Sequence, residues 1–111
     1  MERYKVEVTN EARTNIRAAA RYIAVQLRQP DTAERLLDTL DNEITSLETM
    51  PERCGYVHEE YLASLGIRMT MAHNYLIFYV VDRTVGIVTI LRVLNGRRNW
   101  ITILTEQYSK T

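Results

Sequence analysis

The alternation of hydrophobic and polar residues at the start of the chain predicts a short strand followed by a helix. Residues 4–8 alternate apolar and polar side chains, which is the period of a half-buried strand. Thr9 and Asn10 are good N-cap residues, and apolar side chains then recur every three or four positions over 12–27. Pro30 is predicted to end this amphipathic helix.

A second helix is predicted immediately afterwards. Residues 31–34 have the form of a capping box with Asp31 at the cap, and an apolar stripe continues to Leu47 before Met50-Pro51 stops it. The short connection predicts an antiparallel helical hairpin. Residues 51–60 lack either period and are predicted to be an irregular crossing loop.

The second half of the chain is strand-like. Strands are predicted over 67–72, 75–81 and 85–94, with turns at 73–74 and 82–84, which makes a three-stranded antiparallel meander. The last of these strands is apolar on both alternations, so we expect it to be central and covered on both faces.

Beyond the meander, Asn95-Gly96 marks a sharp turn, and residues 100–104 form an apolar tail that must return to the core. The order β-α-α-β-β-β predicts an α+β fold with a helical hairpin packed on an antiparallel sheet. We expect one domain over residues 1–111, because 111 residues with 46% hydrophobic content are enough for a single core.

Composition narrows the chemistry. One cysteine and two histidines give no disulfide framework and no familiar ligand spacing, so we expect neither a metal site nor a cofactor. The charged N-terminus has no signal or membrane-spanning pattern, which favours a cytoplasmic protein without membrane contact. The formal net charge is zero, but only Asp82 and Glu106 are acidic from Ser64 onward, so the C-terminal half is cationic.

The arginines of this half are the candidate binding residues. Arg92 lies in the most apolar strand, where its head must either reach the surface, meet a carboxylate such as Glu59 or Glu60, or serve a binding face. Arg97 and Arg98 follow a tight turn and could together bind phosphate or carboxylate.

Arg68 begins the meander, and alternation permits but does not fix a shared face with Arg92. Tyr75 is either a packing residue or a stacking platform. His73 and His58 are interpreted as turn or loop residues, because neither has a nucleophile or metal set near it in sequence.

Three segments of the chain form a recognisable pattern. They are Leu47-Glu48-Thr49-Met50-Pro51, Asn74-Tyr75-Leu76-Ile77-Phe78-Tyr79 and Arg92-Val93-Leu94-Asn95-Gly96-Arg97-Arg98-Asn99-Trp100. In these segments the chain resembles toxins of the RelE/ParE superfamily, in its ParE-like branch. The resemblance covers nearly the whole chain. It implies the toxin of a type II toxin-antitoxin system, neutralised by a cognate antitoxin. ParE-like members poison DNA gyrase, whereas RelE-like members cut mRNA in the ribosome.

The nuclease pattern is matched only in part. Arg68 falls on one basic position of RelE-like nucleases, but Thr70 and Leu76 stand where a lysine and an arginine are usual. Arg97 or Arg98 could match a later arginine, and Tyr108 is a loose candidate for the catalytic tyrosine. Cleavage of RNA needs a base, an acid and cations, of which only the cations are partly present.

These observations favour a ParE-like gyrase inhibitor over a metal-independent mRNA endoribonuclease, whose catalytic residues would be Arg68, Arg97 and Arg98. An inactive toxin fold that only binds its partner is a third alternative. Asn95 and Asn99 depart from the ParE pattern, where His and Asp are frequent.

The resemblance also predicts the partners and the contact residues. We expect an adjacently encoded ribbon-helix-helix antitoxin, through which alone DNA is contacted, and a target that is gyrase or alternatively the ribosome. The predicted target-binding residues are Arg68, Arg92, Arg97, Arg98, Tyr75 and Trp100.

Overall fold

A computed structural model describes residues 3–109. The helices are α1 (Asn10–Arg21), α2 (Pro30–Ser46), α3 (Glu60–Ser64) and α4 (Trp100–Tyr108). The strands are β1 (Lys5–Val8), β2 (Arg68–Ala72), β3 (Tyr75–Asp82) and β4 (Ile87–Asn95). A π-helical segment, Tyr22–Gln26, prolongs α1, and a 3₁₀ turn, Pro51–Arg53, follows α2. The predicted α+β fold, with a helical hairpin on a sheet, is confirmed.

The four strands form one mixed sheet in the order β1-β4-β3-β2. The meander β2-β3-β4 is antiparallel as predicted, but β1 pairs with β4 in parallel, so the prediction of an antiparallel sheet throughout is wrong. After β1, the chain passes through the helical hairpin and re-enters the sheet at the opposite edge, as β2. The meander then brings β4 beside β1, running in the same direction. β4 is central, as its apolar run predicted.

The sheet is covered on both faces. The helical hairpin packs on one face, which we call the hairpin face, over a cluster that includes Leu40, Ile77 and Tyr79. Helices α3 and α4 cover the other face, the α4 face, over a cluster that includes Phe78 and Leu104. Ile90 and Val93 of β4 belong to the first cluster, and Leu91 and Leu94 belong to the second, so this strand serves both faces. A register shift between Phe78 and Tyr79 leaves Leu91 as an extra residue of β4 without a directly opposed partner.

The helix starts follow the predicted capping chemistry only in part. Thr9 caps α1 as predicted, because its hydroxyl accepts a hydrogen bond from the Ala12 N–H at 3.1 Å. Helix α2 instead begins at Pro30, and Gln29 at the cap makes no side-chain hydrogen bond. The capping box from Asp31 is therefore wrong, since proline at the first helical position starts this helix at Pro30, two residues before the start that a cap at Asp31 requires.

Helices occur in two segments for which the sequence pattern predicted none. The crossing loop includes the 3₁₀ turn, and its last residue, Glu60, begins α3, which the Glu59 carboxylate caps by accepting from the Leu62 N–H at 2.8 Å. The apolar tail returns to the core as predicted, but as helix α4, whose Leu104 is fully buried. The last strand begins at Ile87 rather than at Val85, because Gly86 adopts φ +71° in the preceding turn.

Candidate functional site

The predicted binding residues separate onto different surfaces. Arg68 lies opposite Tyr79 in the β2–β3 register, which puts it on the hairpin face. Arg92 lies opposite Phe78, which puts it on the α4 face. Two arginines that alternation allowed to share a face therefore point to opposite sides of the sheet.

Arg68 is held by the loop that follows α2. Its guanidinium donates hydrogen bonds to the carbonyl oxygens of Cys54 at 2.7 Å and Glu52 at 3.4 Å, and lies 3.7 Å from the Glu52 carboxylate. It also stacks over the Tyr56 ring, 4.2 Å from the ring centroid. Only 11% of its side chain is exposed. These contacts fix the loop to the sheet and leave little of the guanidinium for a target.

A buried tyrosine also holds this loop. The Tyr79 hydroxyl donates to the Pro51 carbonyl oxygen at 2.6 Å. Burial is the main cause that raises the pKa of Tyr79, and the neighbouring Cys54 contributes in the same direction. The phenol is therefore protonated at neutral pH and acts as a hydrogen-bond donor to the loop.

Arg92 is partnered across the α4 face. Its Nε donates to the Gln107 amide oxygen of α4 at 2.8 Å, so its partner is an amide and neither Glu59 nor Glu60. The Gln107 amide in turn donates to the Tyr108 hydroxyl at 3.1 Å. Burial, followed by the charge of Glu11, raises the pKa of Tyr108.

Trp100 belongs to the same face. Its ring centroid lies 5.1 Å from that of Phe78 and 5.2 Å from that of His58. The indole is half-buried as the first residue of α4. These contacts give Trp100 a packing role between α4, the sheet and the crossing loop.

Tyr75 and Arg98 lie together at another place, where the β2–β3 turn and the end of β4 adjoin the hairpin. Arg97 precedes Arg98 in the turn that follows β4. The Gly96 N–H donates to the Asn74 carbonyl oxygen at 2.8 Å, which holds the two turns together. The Asn95 side chain accepts from the Arg97 N–H at 2.9 Å and shapes the second turn. Both arginine side chains are exposed, and neither forms a salt bridge within residues 3–109.

A groove runs beside these turns. One part, about 440 Å³, lies between the hairpin tip and the β2–β3 turn, and the second, about 340 Å³, lies between α1 and the end of β4. The two parts share Tyr22, Tyr75 and Asn95, and we call them together the polar cleft. Its other polar lining residues are Asn15, Thr32, Arg35, His73, Asn74 and Arg98.

The polar cleft has a cationic character. Of the described residues that line it, two are arginines, one is a histidine and none is acidic. The Arg35 guanidinium donates to the Thr32 hydroxyl at 3.1 Å, which holds it on the hairpin side of the cleft. Tyr22 is 56% exposed and lies in a π-helical segment, a kind of structure that recurs at functional sites. Such a surface can bind an anionic group beside an aromatic platform.

Half of this arrangement is not predictable from the sequence. Arg35 and Tyr22 lie on the hairpin, far in sequence from Arg98, and only the packing of the hairpin on the sheet brings them together. His73 adopts φ +55°, a conformation rare for a residue with a side chain, and it lines the cleft from the turn. Asn99, one of the departures noted above, caps α4 by accepting from the Thr102 N–H at 3.3 Å.

Among residues 3–109, no cluster of three or more His, Cys, Asp or Glu side chains could hold a metal ion. No helix within the same range is long and apolar enough to cross a membrane.

Comparison with solved structures supports the fold. The chain resembles a structure of the chromosomal ParDE toxin-antitoxin system of P. aeruginosa, with TM-score 0.69 and 17% identity, over 83% of this chain and 95% of that one. It also resembles the toxin-antitoxin complex RelBE2 of Mycobacterium tuberculosis, with TM-score 0.59 and 21% identity, over 86% of this chain and 93% of that one.

Sequence comparison identifies the family. No curated protein sequence matches the chain. The family model described as the ParE toxin of the type II toxin-antitoxin system, parDE, matches residues 6–100, which span every element from β1 to the start of α4. The resemblance to the RelE/ParE superfamily is thereby confirmed, and the chain belongs to the ParE toxin family of type II toxin-antitoxin systems.

Proposed function

We propose that this toxin arrests growth by binding DNA gyrase through the polar cleft, without cleaving nucleic acid. The observation that carries the proposal is the difference between the arginines. Arg68, which matches a nuclease position, is occupied by the crossing loop, whereas Arg98 is exposed beside a cleft without acidic lining.

A nuclease site of the RelE pattern is poorly supported by the same geometry. Arg68 and Arg98 are separated along the sheet, since Arg68 pairs with Tyr79 in the middle of β3, whereas Arg98 follows Asn95, the partner of Tyr75 at the start of β3. Tyr108 contacts Gln107 and Tyr61 on the α4 face, away from the cleft. A base, an acid and cations that do not share one surface cannot act together on one phosphodiester.

One feature of the cleft favours mRNA cleavage as a second candidate function. The rings of Tyr22 and Tyr75 line it together with the imidazole of His73 and the guanidinium of Arg98. Tyrosine rings beside cations can hold a single-stranded base by stacking, and a neutral imidazole can accept the proton of a 2′-hydroxyl. In this alternative, the His73 turn would supply the base that the strand residues lack.

A cognate antitoxin is part of the proposal. The two similar structures are of a toxin-antitoxin system and a toxin-antitoxin complex, and the family is defined by the same pairing. We propose that the partner is a small adjacently encoded protein of the ribbon-helix-helix type, through which this chain contacts DNA.

A supercoiling assay tests the gyrase proposal directly. The purified chain should inhibit supercoiling by gyrase, and Arg98→Glu should weaken that inhibition by about tenfold or more, because it places a negative charge in the cleft. Arg97→Glu makes the same charge change in the same turn outside the cleft and should retain more inhibition.

Three other outcomes would contradict the gyrase proposal. Growth arrest on induction together with unchanged supercoiling would exclude gyrase as the target. Primer extension on cellular mRNA should show no codon-phased cuts; cuts that disappear in His73→Ala would instead establish the nuclease alternative. Absence of any effect on growth would identify an inactive toxin fold.

A further inference from the structure

The outer side of the helical hairpin, away from the sheet, carries two stripes of opposite charge. The basic stripe on α1 consists of Arg13, Arg17 and Arg21, spaced four residues apart. The acidic stripe on α2 consists of Asp31, Glu34, Asp38 and Asp41. Every one of these residues is exposed. Since the inner sides of both helices are packed on the sheet, the stripes mark the hairpin's free surface.

An apolar groove runs between the stripes. One part, about 420 Å³, is lined by Arg13, Asp38 and Asp41, and the other, about 450 Å³, by Arg21, Asp31 and Glu34. Leu37 lines both parts, so the two form one groove along the hairpin. We call it the outer groove.

The floor of the outer groove can accept a helix. Ala20 and Ala24 have small side chains, and Val25 and Leu37 remain 59% and 39% exposed. Small side chains let a second helix approach closely, and the exposed apolar ones gain free energy when water is removed from them.

The charges beside the groove do not neutralise one another. Within residues 3–109, no salt bridge joins the basic stripe to the acidic stripe. The side chain of Arg13 donates instead to the Val8 carbonyl oxygen at 3.3 Å. Both stripes therefore present their charges to whatever lies over the groove.

We propose that the outer groove is a dimer interface and that its occupant is a second copy of this hairpin. A twofold axis parallel to the helices places the α1 of each copy over the α2 of its partner. Such an interface is isologous and needs a self-complementary surface. One cationic and one acidic stripe on either side of an apolar groove provide that complementarity.

The symmetry also predicts which charges meet. Rotation about this axis keeps each residue at its own height along the hairpin, so the pairs that adjoin within one chain recur between chains. Arg21 then faces Glu34 of the second copy, and Arg17 faces Asp38 of the second copy. A perpendicular axis would bring like stripes together, which disfavours that arrangement. The four helices would form an antiparallel bundle.

The test is a charge-reversal exchange followed by light scattering and analytical ultracentrifugation. The double variant Arg17→Glu/Arg21→Glu reverses most of the basic stripe, and Glu34→Lys/Asp38→Lys reverses the centre of the acidic stripe. The unmodified chain should dimerise, and each variant alone should dimerise about 100-fold more weakly or not at all, because like charges then face each other.

An equimolar mixture of the two variants should restore dimerisation, because every interchain pair is then again of opposite sign. Circular dichroism of each variant checks that it folds. A chain that stays monomeric over the whole concentration range, or a mixture that dimerises no better than its components, would overturn the proposal. The dimer stands apart from gyrase inhibition, which the supercoiling assay measures separately.

Discussion

Arginines lie near both ends of strand β2, and the two ends differ in what the guanidinium groups bind. At the first end, Arg68 is surrounded by carbonyl oxygens, a carboxylate and a tyrosine ring of its own chain. At the other end, Arg98 and Arg35 line a cleft without described acidic residues, and Arg98 has no salt bridge within residues 3–109.

The difference shows how a cation in a strand should be interpreted. A guanidinium whose donors are satisfied internally contributes to the folded state, and its removal leaves carbonyl groups without partners. A guanidinium that remains exposed costs little to remove in the free protein, and its contribution appears only when a partner supplies an anion. Stability and toxicity should therefore respond to opposite ends of β2.

The largest expected effect is the loss of toxicity when both arginines that line the cleft are replaced by glutamate. Arg35→Glu/Arg98→Glu should reduce growth inhibition by about 100-fold or more, because two cations become anions at the proposed contact. The free energy of unfolding should change by about 0.5 kcal/mol or less, as is usual for exposed sites. Induced growth curves and urea denaturation measure the two quantities.

A large loss of stability in this double variant would contradict the separation of the two regions. Full toxicity in a normally folded variant would remove the cleft from the target interface. The single variant Arg98→Glu is compared with Arg97→Glu, which makes the same charge change in the same turn but outside the cleft lining.

The next effect is on stability at the other end of the strand. Arg68→Ala should lower the free energy of unfolding by about 2 kcal/mol, because it removes charged hydrogen bonds to Cys54 and Glu52 and the stacking on Tyr56. Toxicity should fall only as far as the folded fraction falls. Urea denaturation, with the growth assay repeated at lower temperature, separates the two causes.

If Arg68→Ala were as stable as the unmodified protein but no longer toxic, Arg68 would be a target contact. Arg68→Lys is the graded control. It keeps the charge but not the paired donors and the flat stacking surface, so an intermediate stability is expected.

A smaller loss of stability is expected when the tyrosine that contacts the same loop is changed. Tyr79→Phe removes the hydroxyl that donates to the Pro51 carbonyl oxygen and should lower the free energy of unfolding by about 1–2 kcal/mol, because the buried acceptor loses its partner. Inhibition of gyrase by the folded fraction should not change. Chemical denaturation monitored by fluorescence provides the first value and the supercoiling assay the second.

How much the sequence reveals depends on the range of the interactions. The hairpin and the meander follow from local periodicity, which is why they were predicted within a few residues. The parallel pairing of β1 with β4 is non-local, and no residue of Lys5–Val8 encodes its partner. Helix α4 was missed because Ile101, Thr102 and Ile103 have strand propensity, whereas packing of Leu104 and the Asn99 cap favour a helix.

The candidate site was only half predictable for the same reason. Tyr75 and Arg98 were recognised near the turns, but Arg35 joins them only through tertiary packing. The role of Arg68 depends on backbone carbonyl oxygens, which every residue has and which sequence cannot distinguish. Side-chain chemistry therefore indicated where cations lie but not which of them are free.

The smallest expected effect concerns the exposed ion pair beside Arg68. The Arg83 guanidinium lies 2.8 Å from the Glu52 carboxylate, but its side chain is 73% exposed, so solvent screens the pair. Arg83→Ala should lower Tm by about 2 °C or less at neutral pH, in contrast to Arg68→Ala. A loss as large as that of Arg68→Ala would mean that Glu52, rather than the backbone carbonyls, holds the loop.

The stability contributed by the Arg83–Glu52 ion pair should depend on pH. The hydrogen bond from Arg83 is the main cause that holds the pKa of Glu52 below its ordinary value of 4.5. A depressed pKa adds stability above the unfolded value, and this contribution is lost as the pH falls through the folded pKa. The stability difference between the unmodified protein and Arg83→Ala should therefore be larger at about pH 7 than at about pH 3. An equal difference at both pH values would show that the pair does not contribute through its charge.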